Sequence, residues 1–190
     1  MLFLRSAVGR KIVIAVTGQL MVVFVVFHLL GNYLNPYSFK LPDIGSFIWL
    51  VRFVLLVSFL LHTFLGIQIT LENYKAKPGP YAVKKNLRTT FAAKSMISSG
   101  ILAGVFILFH LLNFTFSVIE ESFQDNNAVA IVYAAGLASV FLHLYHGIAS
   151  FFQTMGWNSD RSLSVITKIG KGLALLLFGG FICIVILNRV

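Results

Sequence analysis

Long apolar runs separated by short polar ones set the plan of this chain. Ile12 to Leu34 carries no charged residue, and at roughly 23 residues it can cross a hydrocarbon layer as a single helix. The basic segment Met1–Lys11 precedes it. The apolar stretch is longer than a signal-peptide core and no small-residue cleavage site accompanies it, so it reads as an uncleaved first span. Asn35–Pro36 and Pro42 break the pattern, and a second run extends from Ile44 to Leu71 with Arg52 as its one charge. Glu72 to Lys94 is the most basic loop, with Lys75, Lys77, Lys84, Lys85 and Arg88 around Pro78 and Pro80. A third run, Ser95 to Ile119, ends in the acidic, amide-rich Glu120–Asn127. The fourth begins at Ala128 and fades into Gln153–Arg161, and the fifth covers about Leu173 to Leu187. The expectation is an all-α membrane protein of five transmembrane helices, residues 1–190 forming one domain.

Composition agrees with this pattern and removes other classes. Hydrophobic residues make up 58% of the chain, charged residues 11%, and the mean hydropathy is +0.88, which leaves no polar stretch large enough for a soluble domain. The formal charge of +9 raises the question of nucleic acid, but its distribution answers a different one. With the N-terminus in the cytoplasm, about 12 of the 15 basic residues fall inside and only Lys40, Arg52 and Arg189 outside. The acidic loop of Glu120, Glu121 and Asp125 then faces out. The positive charge is topological, and the basic loop is also suited to docking a soluble subunit. Cys183 is the single cysteine. It excludes an intrachain disulfide, and without C-x-x-C-H any haem is held non-covalently. No iron–sulfur cluster can be ligated by one thiol, so any such centre belongs to a partner.

The candidate chemistry lies in the histidines. His143 and His146 sit inside the charge-free helix Gly136–Ser150, and His28, His62 and His110 occupy three other spans. Polar groups within a membrane face the protein interior and mark function, since hydrocarbon offers no hydrogen-bonding partner. At about 1.5 Å per residue, His28 and His110 lie roughly 25 Å from the cytoplasmic surface, while His62 and His143 lie roughly 15 Å from it. Two pairs at two depths, each drawn from different helices, is what two bis-histidine haems stacked across a membrane need. Small residues share the histidine faces: Ser58 and Gly66 flank His62 four residues away on either side, as Ser139 and Gly147 flank His143, and Gly136 lies two turns before it. They read as a flat clearing for a planar ligand, although small residues also let helices pack closely. Apart from this short Ser-x-x-Leu-His-x-x-x-Gly-Ile echo, no repeat stands out. A lone intramembrane histidine is often only a helix-to-helix hydrogen bond, and His146 is read as a propionate, quinone or backbone partner. Arg52 is either a snorkelling anchor or a propionate partner of an outer haem. Lys94 or Arg88 could serve an inner haem, and Asn32, Asn35 and Asp43 either bound an outer quinone pocket or are ordinary loop polarity. The phenylalanines read as lipid-facing or packing residues.

On these residues the chain resembles the five-helix, two-haem cytochrome b membrane anchor of succinate dehydrogenase and fumarate reductase. Ser6-Ala-Val-Gly-Arg-Lys11 leading to Ala15-Val-Thr-Gly18 looks like the family's opening, and Phe152-Gln-Thr-Met-Gly156 like its exit from the fourth helix. Histidine followed four residues later by glycine, at His62–Gly66 and His143–Gly147, matches the ligands of the second and fourth helices, which selects His143 over His146. The resemblance implies an outer haem b ligated by His28 and His110, an inner haem b ligated by His62 and His143, and a menaquinone-type quinone. It further implies a flavoprotein and an iron–sulfur subunit on the cytoplasmic face of a bacterial inner membrane. The anchor would do no dehydrogenase chemistry itself and would pass electrons between those subunits and quinone. Two rivals stay open: a haem-bearing quinone anchor of another dehydrogenase, such as formate dehydrogenase or hydrogenase, and a histidine-relay transporter, which calls for intramembrane carboxylates or broken helices. Asp43, Glu72, Glu120, Glu121, Asp125 and Asp160 all fall in loops or at helix ends, so electrons are expected to cross this membrane more readily than protons.

Overall fold

The computed structural model describes residues 3–34, 47–76, 94–116, 118 and 126–187. Among them all regular structure is helical: α1 (Ala7–Leu34), α2 (Phe47–Lys75), α3 (Met96–His110), α4 (Asn127–Met155) and α5 (Asp160–Leu187). A 3-10 turn, Phe3–Arg5, precedes α1, and a π-helical turn, Leu111–Thr115, continues α3. The five spans, of 20 to 29 residues, are long and apolar enough to cross a membrane. Asn35, Lys40, Asp43, Arg88, Glu120, Glu121, Asp125 and Arg189 lie outside the described residues.

Local chemistry sets the helix ends. The Ser6 hydroxyl accepts from the Gly9 amide at 2.9 Å and caps α1. Asn126 caps α4, its side-chain oxygen accepting from the Ala128 amide at 2.9 Å. At the other end of α4, Gly156 takes a left-handed φ of 71°, and the Trp157 amide reaches back to the Phe152 carbonyl at 2.9 Å. The Phe152–Gly156 motif is thus a glycine-terminated helix stop, with Trp157 packed on Phe151.

Two boundaries differ from the hydropathy pattern. The fifth helix starts at Asp160 instead of near Leu173. Lys168 and Lys171 interrupt apolarity without interrupting backbone hydrogen bonding, because long cationic side chains carry their charge out along the helix. Ser159 and Ser162 exchange backbone-to-hydroxyl bonds of 3.2 and 2.7 Å and fix the earlier start. The regular α-helix of the third span stops at His110, and a five-residue π turn follows. Such turns disturb the i→i−4 ladder and are frequent beside functional sites.

The first four helices close into a ring, α1 on α2, α2 on α3, α3 on α4 and α4 back on α1, while α5 lies outside against α4 and α1. An Arg10–Glu72 ion pair ties the start of α1 to the end of α2. Glycines bring α5 close: a Cβ on Gly170 would lie 3.1 Å from Ile148, and one on Gly180 would lie 2.7 Å from Leu29. The Tyr33 hydroxyl donates to the Gly180 carbonyl at 3.0 Å. Phe106 and Phe109 pack against the buried Val129–Tyr133–Val185 cluster, whereas Phe27, Phe53 and Phe64 are exposed on the outside, where lipid would cover them.

The ring contains a longer internal repeat than the short serine–histidine–glycine echo. Shifting α1 by 82 residues onto α3 aligns Gly18 with Gly100, Leu20 with Leu102, Val23 with Val105, Phe24 with Phe106, and Phe27-His-Leu-Leu30 with Phe109-His-Leu-Leu112. Shifting α2 by 81 onto α4 aligns Ser58, Leu61, His62, Gly66 and Ile67 with Ser139, Leu142, His143, Gly147 and Ile148. The one-residue difference between the two shifts falls in the connections, which hid the repeat from inspection at a single period. Each unit is a helical hairpin of the same sense, so the relation is a pseudo-two-fold about an axis along the bundle.

Candidate functional site: two histidine pairs inside the ring

Each hairpin supplies one histidine from its first helix and one from its second, and the ring brings equivalent histidines together. His62 and His143 have ring centroids 6.0 Å apart with planes at 81°. His28 and His110 have centroids 5.9 Å apart with planes at 78°. The pairing expected from depth is therefore the pairing in space. The two levels are separated along α1 by the ten residues from Gly18, which touches His62, to His28, or about 15 Å. Gly100, which touches His143, and His110 repeat that interval on α3.

The His62–His143 level is held by backbone. His62 Nδ1 lies 2.9 Å from the Ile14 carbonyl of α1, and His143 Nδ1 lies 3.2 Å from the Met96 carbonyl of α3. Donation through Nδ1 leaves the lone pair of a neutral imidazole on Nε2, the tautomer that ligates a metal. Gly18 and Gly100 stand one turn beyond those carbonyls, and a Cβ at either would sit 2.9 Å from the Cε1 of the facing ring. Gly66 and Gly147, in contrast, have open space where a Cβ would be, consistent with a clearing beside each ring. Gly136 does not add to it. The Phe106 ring fills that position and would collide with any Cβ there, so Gly136 serves α3–α4 packing. The Ser139 hydroxyl donates to the Gly136 carbonyl at 2.6 Å.

Aromatic rings surround the His28–His110 level. Phe24 stacks on His28 at 5.4 Å, and Phe181 of α5 lies 5.8 Å from it. Phe106, Phe114 and Tyr133 surround His110 at 5.3 to 6.2 Å. The Tyr133 hydroxyl is 3.4 Å from His110 Nδ1 and 3.5 Å from the amide nitrogen of buried Asn113 in the π turn, both long for hydrogen bonds.

His146 faces elsewhere. It interacts electrostatically with Lys171 of α5, whose ammonium lies 4.9 Å from the Tyr145 ring centre. Its equivalent in the first hairpin is Leu65, a buried apolar residue, so the two-fold relation leaves His146 without a counterpart. Arg52 is exposed with its guanidinium 5.0 Å from the Trp49 ring centre, the posture of an interfacial anchor. Pattern reading missed two polar atoms: Arg10 Nε and Gln19 Oε1 are buried without a hydrogen-bond partner. The charge of Arg10 and the amide of Gln19 beside Gly18 were the signals available.

These pairs suit a metal only in company. Two imidazoles bound to opposite sides of one ion, with metal–nitrogen bonds of about 2.0 Å, have ring centres about 6 Å apart. Among the described residues no three His, Cys, Asp or Glu side chains gather into a metal-binding group, so a pair would need a prosthetic group to complete the coordination. Comparison of the chain with protein-family models, with curated proteins and with solved structures returns no match.

Proposed function

We propose that this protein is a dihaem cytochrome b membrane anchor of the succinate dehydrogenase/fumarate reductase type, carrying electrons between cytoplasmic subunits and a membrane quinone. One observation carries the proposal: four histidines from four spans form two ring pairs, 5.9 and 6.0 Å apart, at two levels of one bundle. A haem supplies four equatorial nitrogens and leaves two axial positions for protein, which matches two donors per level. Its contribution is to take up and release single electrons. The chain's own residues do the rest. His62 and His143 are presented with Nε2 free by their carbonyl bonds, and the aromatic shell of His28 and His110 keeps water from the other level.

Orientation follows from charge. Arg5, Arg10, Lys11, Lys75 and Lys94 lie at one end of the ring, level with the ends of α1, α2 and α3 nearest His62 and His143, and the positive-inside rule places that end in the cytoplasm. His62–His143 is then the inner site and His28–His110 the outer one. A flavoprotein and an iron–sulfur subunit would dock on the basic face and deliver electrons to the inner haem, and menaquinone would take them up from the chain. The resemblance of the Ser6–Gly18 and Phe152–Gly156 motifs supports this class of partner. The transporter alternative has less to stand on, since Glu72 and Asp160, the acidic residues among those described, lie at helix ends.

The decisive measurement is haem content. Purified complex should hold two protohaems per copy of this chain, low-spin and six-coordinate, by pyridine haemochrome and visible spectrum. A value of one or zero would overturn the assignment.

A further inference from the structure

We infer that Gly18 and Gly100, acting through the backbone carbonyls of Ile14 and Met96, are paired positioning residues that aim His62 and His143 at a shared haem. The inference rests on the dihaem reading and deepens it. A helix carbonyl is normally screened by the side chain of the residue one turn later, because each Cβ tilts back toward the helix N-terminus. Glycine at that place removes the screen. Ile14 precedes Gly18 by four residues and Met96 precedes Gly100 by four, and in each case an imidazole from the neighbouring helix enters the gap and bonds the uncovered carbonyl, at 2.9 and 3.2 Å. The fit is tight on both sides, with a hypothetical Cβ 2.9 Å from Cε1 and 3.2 or 3.1 Å from Nδ1.

A third element repeats as well. The residue before each glycine bears a hydroxyl that donates to the same carbonyl, Thr17 to Ile14 and Ser99 to Met96, both at 3.1 Å. Both side chains are buried. Carbonyl, hydroxyl and glycine at positions n, n+3 and n+4 therefore occur twice, 82 residues apart, against two histidines 81 residues apart. A chance packing accident would not repeat on the two-fold. The device has no counterpart at the His28–His110 level, where Tyr133 and rings do the holding.

The consequence is electronic as well as steric. An Nδ1–H bond to a carbonyl fixes ring orientation and makes Nε2 a stronger donor, which favours the oxidised haem and lowers its potential. Gly18→Ala and Gly100→Ala, made in the intact complex, should each push one ring off its carbonyl. Redox titration followed by visible spectra should then find the His62–His143 haem lost or shifted to higher potential while the His28–His110 haem is unchanged. Ser99→Ala removes a competing donor from the Met96 carbonyl without crowding the ring, and should shift the same haem the other way, to lower potential. Gly172→Ala on α5, where a Cβ meets open space, is the control and should leave both haems as they were. An unchanged His62–His143 haem in both glycine variants overturns the inference while leaving the dihaem reading intact. If those variants fail to assemble, Ser99→Ala decides: no shift, or a shift of the other haem, overturns it. Wild-type complex without two haems defeats the functional reading instead.

Discussion

The two histidine levels solve one problem by different means. At His62–His143 each ring is bonded to a main-chain carbonyl of an adjacent helix, and helix backbone cannot relax without loss of its own ladder. At His28–His110 the neighbours are side chains: Phe24, Phe106, Phe114, Phe181 and Tyr133 pack around the rings, and the polar contacts of Tyr133 are long. The first level obeys the two-fold, whereas the second breaks it, with a π turn, Asn113 and Tyr133 on one side only. An imidazole pair in hydrocarbon can be held by backbone, which fixes tautomer and angle, or by an aromatic shell, which fixes position and excludes water while leaving the donor strength adjustable.

Ligand removal should break the comparison most sharply. His62→Ala or His143→Ala should abolish one haem, and His28→Ala or His110→Ala the other, each cutting haem content by about half relative to the two expected from two bis-histidine sites. Spectra resolved by redox titration check the grouping. His146→Ala should retain both haems, and loss of the His62 partner in that variant would reverse the ligand assignment. Next in size is the effect of membrane potential. If quinone is reduced beside the outer haem, electrons move outward against no accompanying proton path, and the potential assists succinate oxidation by up to about 2.3 kcal/mol per charge per 100 mV. Right-side-out vesicles should therefore reduce menaquinone more slowly or less completely once an uncoupler collapses the potential. An unchanged rate and extent would place quinone on the inner side, or would show protons following through a histidine-and-water relay. The smallest effect belongs to Tyr133→Phe. Removing one long, weak hydrogen bond to His110 is worth at most about 1 kcal/mol, or roughly 40 mV for one electron. The His28–His110 haem should rise by no more than that, with the other haem unmoved.

How much of this was legible in the residues depended on the kind of force involved. Hydrophobic length and charge asymmetry are additive along a chain, so five spans, the depth of each histidine and the pairing of His28 with His110 and His62 with His143 could be read from order alone. Where apolarity and helicity part company the reading failed, as at Asp160–Gly172, because lysines end a hydrophobic run but not a hydrogen-bond ladder. The two-fold lay in the sequence yet was masked by the offset of 82 against 81 residues. Only the packed ring decided that Gly136 receives Phe106, that Gly18 and Gly100 uncover the carbonyls of Ile14 and Met96, and that His143 instead of His146 faces His62. A glycine has the same symbol wherever it stands, and what approaches the space it leaves is fixed by the angle and distance of a neighbouring helix.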